Sequence, residues 1–94
     1  MIDDTDYQKA HQIADDWRLS ADEKAQLLDQ PDRVIAVISI HDSLHRIFSE
    51  DTGRADAWIK KPNDAFQGQL ALDIMLGGDI EHVRKYLQYH TYNA

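Results

Sequence analysis

The sequence contains no cysteine and only two prolines and four glycines in 94 residues. Without cysteine, neither a disulfide framework nor a thiolate metal site can form, and the composition is compatible with a reducing cytoplasm. So little proline and glycine leaves long helices uninterrupted. No apolar run approaches the roughly 18 residues of a membrane span, and the acidic start Met1-Ile2-Asp3-Asp4 is unlike a secretory signal. We therefore expect a cytoplasmic protein with no membrane association.

Positive charge is also scarce. Ten Lys and Arg residues face 17 Asp and Glu residues, which gives a net charge of −7 and a pI of about 4.9. This balance disfavours generic binding to nucleic-acid phosphates or anionic membranes and favours a basic protein partner. Acidic residues crowd the first part of the chain, where they form either a solvated face or a surface that attracts such a partner. These residues are Asp3, Asp4, Asp6, Asp15, Asp16, Asp22 and Glu23.

Apolar residues recur at helical spacing along most of the chain, which predicts an all-α fold, a small bundle of five to six helices in one compact domain. The predicted helices span about 6–18, 21–29, 32–49, 53–60 and 70–76, with a last helix after Asp79. Capping boxes at Thr5–Gln8 and Ser20–Glu23 mark the first two starts, and Pro31 suits a first helical position. The tail from Tyr89 is expected to fray.

The third helix is predicted to be the longest and to supply the main apolar stripe. Its many β-branched residues leave a strand at 34–40 as the alternative. Helix is preferred because the period continues through Phe48 without a turn signal. The stripe comprises Val34, Val37, Ile38, His41, Leu44 and Phe48, widened by Ile35, Ile40 and Ile47.

A corner is predicted between Trp58 and Gly68. Pro62 cannot continue a helix, so the helix that carries Trp58 should end near Lys60. Asn63 can cap the next turn, Phe66 should fold back toward Trp58, and Gly68 permits a positive φ. These two aromatic residues are expected to pack into the core or to contact a partner.

Few residues point to catalysis or to a cofactor. His41 and His45 lie four residues apart on one predicted helix face, a spacing that permits a shared metal ion. The sequence offers no evident third ligand, so an ordinary helix surface is preferred and no metal or cofactor is expected. No Ser/His/Asp order, phosphate-binding glycine loop or nucleotide fingerprint is present. The chain is therefore not expected to be an enzyme.

The second half resembles the toxin-binding domain of MbcA/ParS/Xre antitoxins. The resemblance rests on the run Trp58 to Asn63, then Phe66 and Gly68, then the Leu/Met-rich segment 72–78 and the segment 83–87. The first half resembles the helix-turn-helix region of the same proteins, in shortened form. Residues 1–30 would be the shortened N-terminal helices, 31–52 a connecting helix and 53–94 the toxin-binding module.

The resemblance implies a non-catalytic, dimeric antitoxin that covers the active site of a RES-domain toxin, an enzyme that degrades NAD or transfers ADP-ribose. Two alternatives stay open: a DNA-binding regulator that uses the first helices, and an orphan interaction module of the same fold. The short connection between Leu28 and Pro31 leaves little room for a separate recognition helix. The residues predicted to bind a partner are Trp58, Lys61, Asn63, Phe66, Arg84, Tyr86, Tyr89 and Tyr92.

Overall fold

Six α-helices make up most of the computed structural model, which describes residues 3–92. They are α1 (Asp4–Asp16), α2 (Ala21–Leu27), α3 (Pro31–Ile47), α4 (Thr52–Ala57), α5 (Ala71–Leu76) and α6 (Ile80–Tyr92). Two 3₁₀ turns, Trp58–Lys60 and Asp64–Phe66, connect α4 to α5. No strand occurs in this part of the chain, so the all-α prediction is confirmed and the strand alternative at 34–40 is wrong.

The first helix begins earlier than predicted, because its cap is Asp3 and not Thr5. The Asp3 carboxylate accepts a hydrogen bond from the Asp6 backbone N–H at 3.0 Å, and Asp6 accepts one from the Asp3 N–H at 3.2 Å. This reciprocal pair is a capping box. After α1 the chain turns at Arg18, which has a φ of 57°. The Lys60 ammonium donates to the Arg18 carbonyl at 2.8 Å and fastens this turn to the second half.

The second helix starts as predicted. The Ser20 hydroxyl accepts from the Glu23 N–H at 3.1 Å, and the Glu23 carboxylate accepts from the Ser20 N–H at 2.8 Å. Pro31 stands at the start of α3, also as predicted. Only three residues, 28–30, separate α2 from α3, so no further helix lies between them.

The longest helix, α3, contacts α1, α2, α4 and α6 and forms the centre of the core. Its buried face is rotated relative to the predicted stripe. Ile35 is 44% exposed, and Ile38, His41 and Phe48 are only partly buried. The small side chains of Ala36 and Ser43 are buried instead, where they allow neighbouring helices to approach. The buried residues of α3 are Val34, Ala36, Val37, Ile40, Ser43 and Leu44.

The last helix packs against α3 and α5 through Ile80, Val83 and Leu87. The short α5 ends at Gly77-Gly78 as predicted, and Gly78 has a φ of 102°. The predicted fraying from Tyr89 is wrong as far as Tyr92, because α6 continues to that residue; positions 93 and 94 lie outside the described residues. None of the helices in the described part is both long enough and apolar enough to cross a membrane.

Candidate functional site: an aromatic face formed by the corner and the last helix

The corner at residues 58–70 is a tightly bonded loop. The helix α4, capped by Asp51, changes at Trp58 into a 3₁₀ turn that ends at Lys60, close to the predicted stop. Lys61 then adopts the extended backbone that a following proline imposes. Pro62 forms an isolated bridge with Leu70, which closes the loop at its base.

Asn63 organises the inside of this loop. Its side-chain oxygen accepts from the Ala65 N–H at 2.8 Å, which confirms the predicted cap. Its backbone carbonyl accepts from the N–H groups of Phe66 and Gly68, each at 2.9 Å. Gly68 has the expected positive φ of 83°, and Gln67 also lies in the left-handed region at 58°. These bonds hold the Phe66 side chain toward the body of the protein.

Phe66 is the buried anchor of an aromatic cluster. It is 4% exposed, and its ring centroid lies 6.1 Å from that of Trp58 in an edge-on arrangement. The predicted contact across the corner is therefore confirmed. The Tyr86 ring of α6 lies 5.0 Å from Phe66 and 6.2 Å from Trp58, nearly parallel to the indole. Edge-on and offset-stacked rings at such separations attract one another.

The cluster extends along α6 toward the solvent. His82 meets the Phe66 ring edge-on at 5.5 Å, and His90 lies 4.3 Å from Tyr86. Tyr89, 65% exposed, lies 5.6 Å from His90. We call the six residues Trp58, Phe66, His82, Tyr86, Tyr89 and His90 the aromatic face. It grades from a buried ring to exposed rings, as interface surfaces with an apolar centre do.

Two members of the aromatic face were not among the predicted site residues. His82 and His90 stand four residues before and after Tyr86, so the three side chains share one side of α6. This spacing was the available signal. His90 is exposed on this side of the helix.

The other predicted residues lie apart from these rings. Lys61 is exposed at the corner, and Asn63 is half-buried beneath it. The guanidinium of Arg84 contacts both carboxylate oxygens of Glu81 at 3.1 Å, and its Nε lies 3.4 Å from the Ser39 hydroxyl of α3. Tyr92, 89% exposed, lines a separate groove between α3 and α6 together with Ile35 and Ile38.

A group of possible metal ligands occurs on a different surface. His41 and His45 of α3 lie beside Asp56 of α4, a residue that sequence reasoning did not connect with them. Asp56 is 11 positions from His45 along the chain, and only the packing of α4 on α3 brings the two together. The aromatic face itself offers apolar rings and imidazoles, which suit binding of a surface.

Comparison with known proteins identifies this region. Residues 43–92 match the family described as the antitoxin Xre/MbcA/ParS C-terminal toxin-binding domain. The match begins in α3 and includes the corner, α5 and α6.

Comparisons with individual proteins give no further information about the chemistry of this chain. The chain is similar to the uncharacterized protein y4oB of Sinorhizobium fredii (strain NBRC 101917 / NGR234), with 40% identity over an alignment that covers 80% of this chain and 75% of that protein. No solved structure matches the chain. A toxin-binding domain implies a toxin as its partner. With more than half of its residues in the match, the chain belongs to the Xre/MbcA/ParS antitoxin family and carries that family's toxin-binding domain.

Proposed function

We propose that this protein neutralises a RES-type toxin, an enzyme that degrades NAD or transfers ADP-ribose, by covering the opening of its active site. The observation that carries the proposal is the aromatic face, which lies wholly within the matched toxin-binding domain. The role is that of a non-catalytic inhibitor: the toxin supplies the chemistry, and this chain supplies a surface that excludes the substrate.

The aromatic face suits such a role because its residues are held in place before binding. Phe66 is fixed by the bonds of the corner, and Tyr86 and Trp58 rest on it with part of their surfaces exposed. Rings that are already ordered lose little conformational entropy when a partner covers them. Aromatic residues near the centre of an interface commonly contribute most of its affinity.

Charge gives the complex a second source of attraction. The chain carries a net charge of −7, so a toxin with a basic rim around its active site would be steered toward it. Lys61, exposed at the corner, provides one positive charge that would meet an acidic group of the toxin. We expect the association rate to fall as salt is raised.

We also propose that the chain forms a homodimer, as the resemblance to dimeric antitoxins implies. The groove between α3 and α6 is the surface we assign to the second copy. Ile35 at 44% exposure and Tyr92 at 89% exposure are apolar groups on its rim. Light scattering on the purified chain tests this, and Ile35→Lys should shift the mass toward the monomer.

The test of toxin neutralisation is co-expression with a RES-domain toxin. Cellular NAD should fall when the toxin is expressed alone and stay at its normal level when this chain is present. Tyr86→Ala should weaken the rescue, whereas Gln12→Ala on the exposed surface of α1 should leave it intact.

Purified proteins provide the second part of this test. The two chains should co-elute on size exclusion, and the complex should hydrolyse NAD more slowly than the free toxin. A toxin that remains active and elutes alone in the presence of this chain would rule the proposal out. If Tyr86→Ala instead binds the toxin with unchanged affinity, the aromatic face is not part of the interface.

A further inference from the structure

The second cluster of polar side chains lies where α4 packs on α3. His41 and His45 follow each other by one helical turn, and their ring centroids are 4.2 Å apart. Asp56 of α4 points its carboxylate at them, with Oδ1 2.9 Å from the His45 Nε2. One donor atom from each of the three residues lies within 4.8 Å of the others. Within residues 3–92, no other group of three or more metal-binding side chains comes together in this way.

The environment of the cluster is intermediate between core and surface. The side chains of His41, His45 and Asp56 are 21%, 26% and 27% exposed. Ala55, the neighbour of Asp56, is fully buried and anchors α4 on the core. The backbone positions are therefore set by packing, while the ring and carboxylate ends still have room to rotate.

A simple hydrogen bond accounts for part of this arrangement. His45 donating to Asp56 would connect α3 to α4 without any metal. That bond involves only His45 and Asp56, whereas a metal ion would also be held by the His41 ring, which lies against the His45 ring. His41 therefore distinguishes a metal site from an ordinary contact.

We propose that His41, His45 and Asp56 bind a Zn²⁺ ion that joins α3 to α4. Two imidazole nitrogens and one carboxylate oxygen are a donor set that zinc accepts, with a fourth position left for water or for a group from a partner. Zinc holds such ligands at about 2.0–2.1 Å, so donor atoms around it are roughly 3.3 Å apart. The present spread of 4.8 Å requires a small inward rotation of side chains that are not fully packed.

A carboxylate next to His41 is placed to orient its ring, as carboxylates do in zinc sites. The Nδ1 of His41 lies 3.3 Å from Oδ1 of Asp42, and Asp42 in turn lies 3.9 Å from the Lys9 ammonium of α1. Metal-binding histidines usually donate their other ring N–H to a carboxylate or carbonyl, which orients the ring. Asp42 would hold His41 with its Nε2 available to the ion.

A zinc ion at this site would fix the position of α4 on α3, just before the corner begins. The helix α4 runs directly into the 3₁₀ turn that carries Trp58. A metal that links α4 to α3 would order the start of that turn. The site does not include any residue of the aromatic face, so it stands or fails independently of toxin binding.

The experiment is a titration of the 94-residue chain, with its purification tag removed and its metals stripped by chelation. Calorimetry with Zn²⁺ should give saturable binding at one ion per chain. Binding to the folded state alone raises the melting temperature, by about 6–11 °C once zinc exceeds its dissociation constant roughly tenfold. Co²⁺ should produce the intense visible absorption of a tetrahedral site, and chelation should reverse both effects.

Two variants separate the metal site from its alternatives. His41→Ala keeps the hydrogen bond between His45 and Asp56, and it should lower zinc affinity by about tenfold or more. His11→Ala removes an exposed imidazole of α1 and should leave affinity unchanged. Circular dichroism establishes that both variants are folded. The absence of saturable binding, or equal zinc affinity in His41→Ala and the original chain, would overturn the proposal.

Discussion

Trp17 and Trp58, the only tryptophans in the sequence, occupy contrasting positions. Trp17 at the end of α1 is 2% exposed and belongs to the central core. Trp58 is partly buried and lies against Phe66 and Tyr86 at the surface. A ring surrounded on all sides contributes its whole area to stability, whereas a ring that retains exposed area can contribute some of it to a complex. The first half of the chain thus supplies an anchor, and the second half supplies a surface.

The largest loss of stability is expected when the buried Trp17 is replaced. Trp17→Ala should lower the free energy of unfolding by about 3–5 kcal/mol, because it leaves a large cavity. Small domains are stable by only about 5–15 kcal/mol, so the variant should be partly unfolded in mild denaturant. Urea titration followed by circular dichroism measures the change.

Trp17→Phe is the matched control for this prediction. It retains an aromatic ring and removes the indole N–H, which is buried with no hydrogen-bond partner in the described part of the chain. Its cost should be clearly smaller than that of alanine, because the phenyl ring fills most of the cavity that alanine would leave. An alanine variant that unfolds at the urea midpoint of the original protein would refute the assignment of Trp17 as an anchor.

A smaller loss of stability is expected when Trp58 is replaced. Trp58→Ala should lower the free energy of unfolding by about 1–2 kcal/mol, since part of the indole is already in contact with water. The same variant should bind toxin at least about tenfold more weakly if the aromatic face is the interface. Urea titration and calorimetry with toxin give the two quantities. A loss of stability equal to that of Trp17→Ala would remove the distinction between the two tryptophans.

The predictions from sequence were correct where hydrogen bonds within a few residues determine the backbone conformation. The caps at Ser20 and Asn63 and the proline start of α3 were predicted correctly, because each depends on bonds within a few residues. The cap of α1 was misplaced because Asp3 with Asp6 offers the same chemistry as the predicted Thr5 box two residues earlier.

Predictions that depend on tertiary packing were less accurate. The buried face of α3 depends on which neighbours cover it, and the small residues Ala36 and Ser43 carried no hydrophobic signal. Local turn signals located the corner, whereas His82 and His90 join the site only through ring contacts. No sequence spacing connects Asp56 to His41 and His45, because that meeting depends on how α4 docks on α3.

Gly78 allows the turn that brings α6 back toward the corner. Its replacement should lower the free energy of unfolding by about 1 kcal/mol. Gly78→Ala places a side chain at a φ of 102°, where the cost is steric strain in the backbone itself. Gly53→Ala in α4 is the control, since a methyl group there meets only an ordinary contact at 3.5 Å from the Asp51 carboxylate. That change should be neutral or stabilising by about 0.5 kcal/mol. Urea titration should therefore show a loss of stability for Gly78→Ala only, and equal destabilisation by both variants would contradict a special role for the turn.

The smallest change in stability, and the sharpest test of the surface, is expected at two exposed tyrosines of α6. Tyr89 lies on the aromatic face and Tyr92 lines the groove against α3, at 65% and 89% exposure. Replacing either with alanine should alter the free energy of unfolding by less than about 0.5 kcal/mol, as for other exposed positions. Differences in toxin binding then reflect the interface and not the fold.

Calorimetry with purified toxin distinguishes the two faces. Tyr89→Ala should weaken binding by about tenfold, the loss of about 1.4 kcal/mol that an interface tyrosine can contribute. Tyr92→Ala should leave toxin affinity unchanged and should instead shift the chain toward the monomer in light scattering. The reverse result would exchange the assignments: toxin would bind the groove between α3 and α6, and the rings around Phe66 would be the contact between copies. Because both variants lie on one helix and carry the same substitution, this difference depends on the face alone.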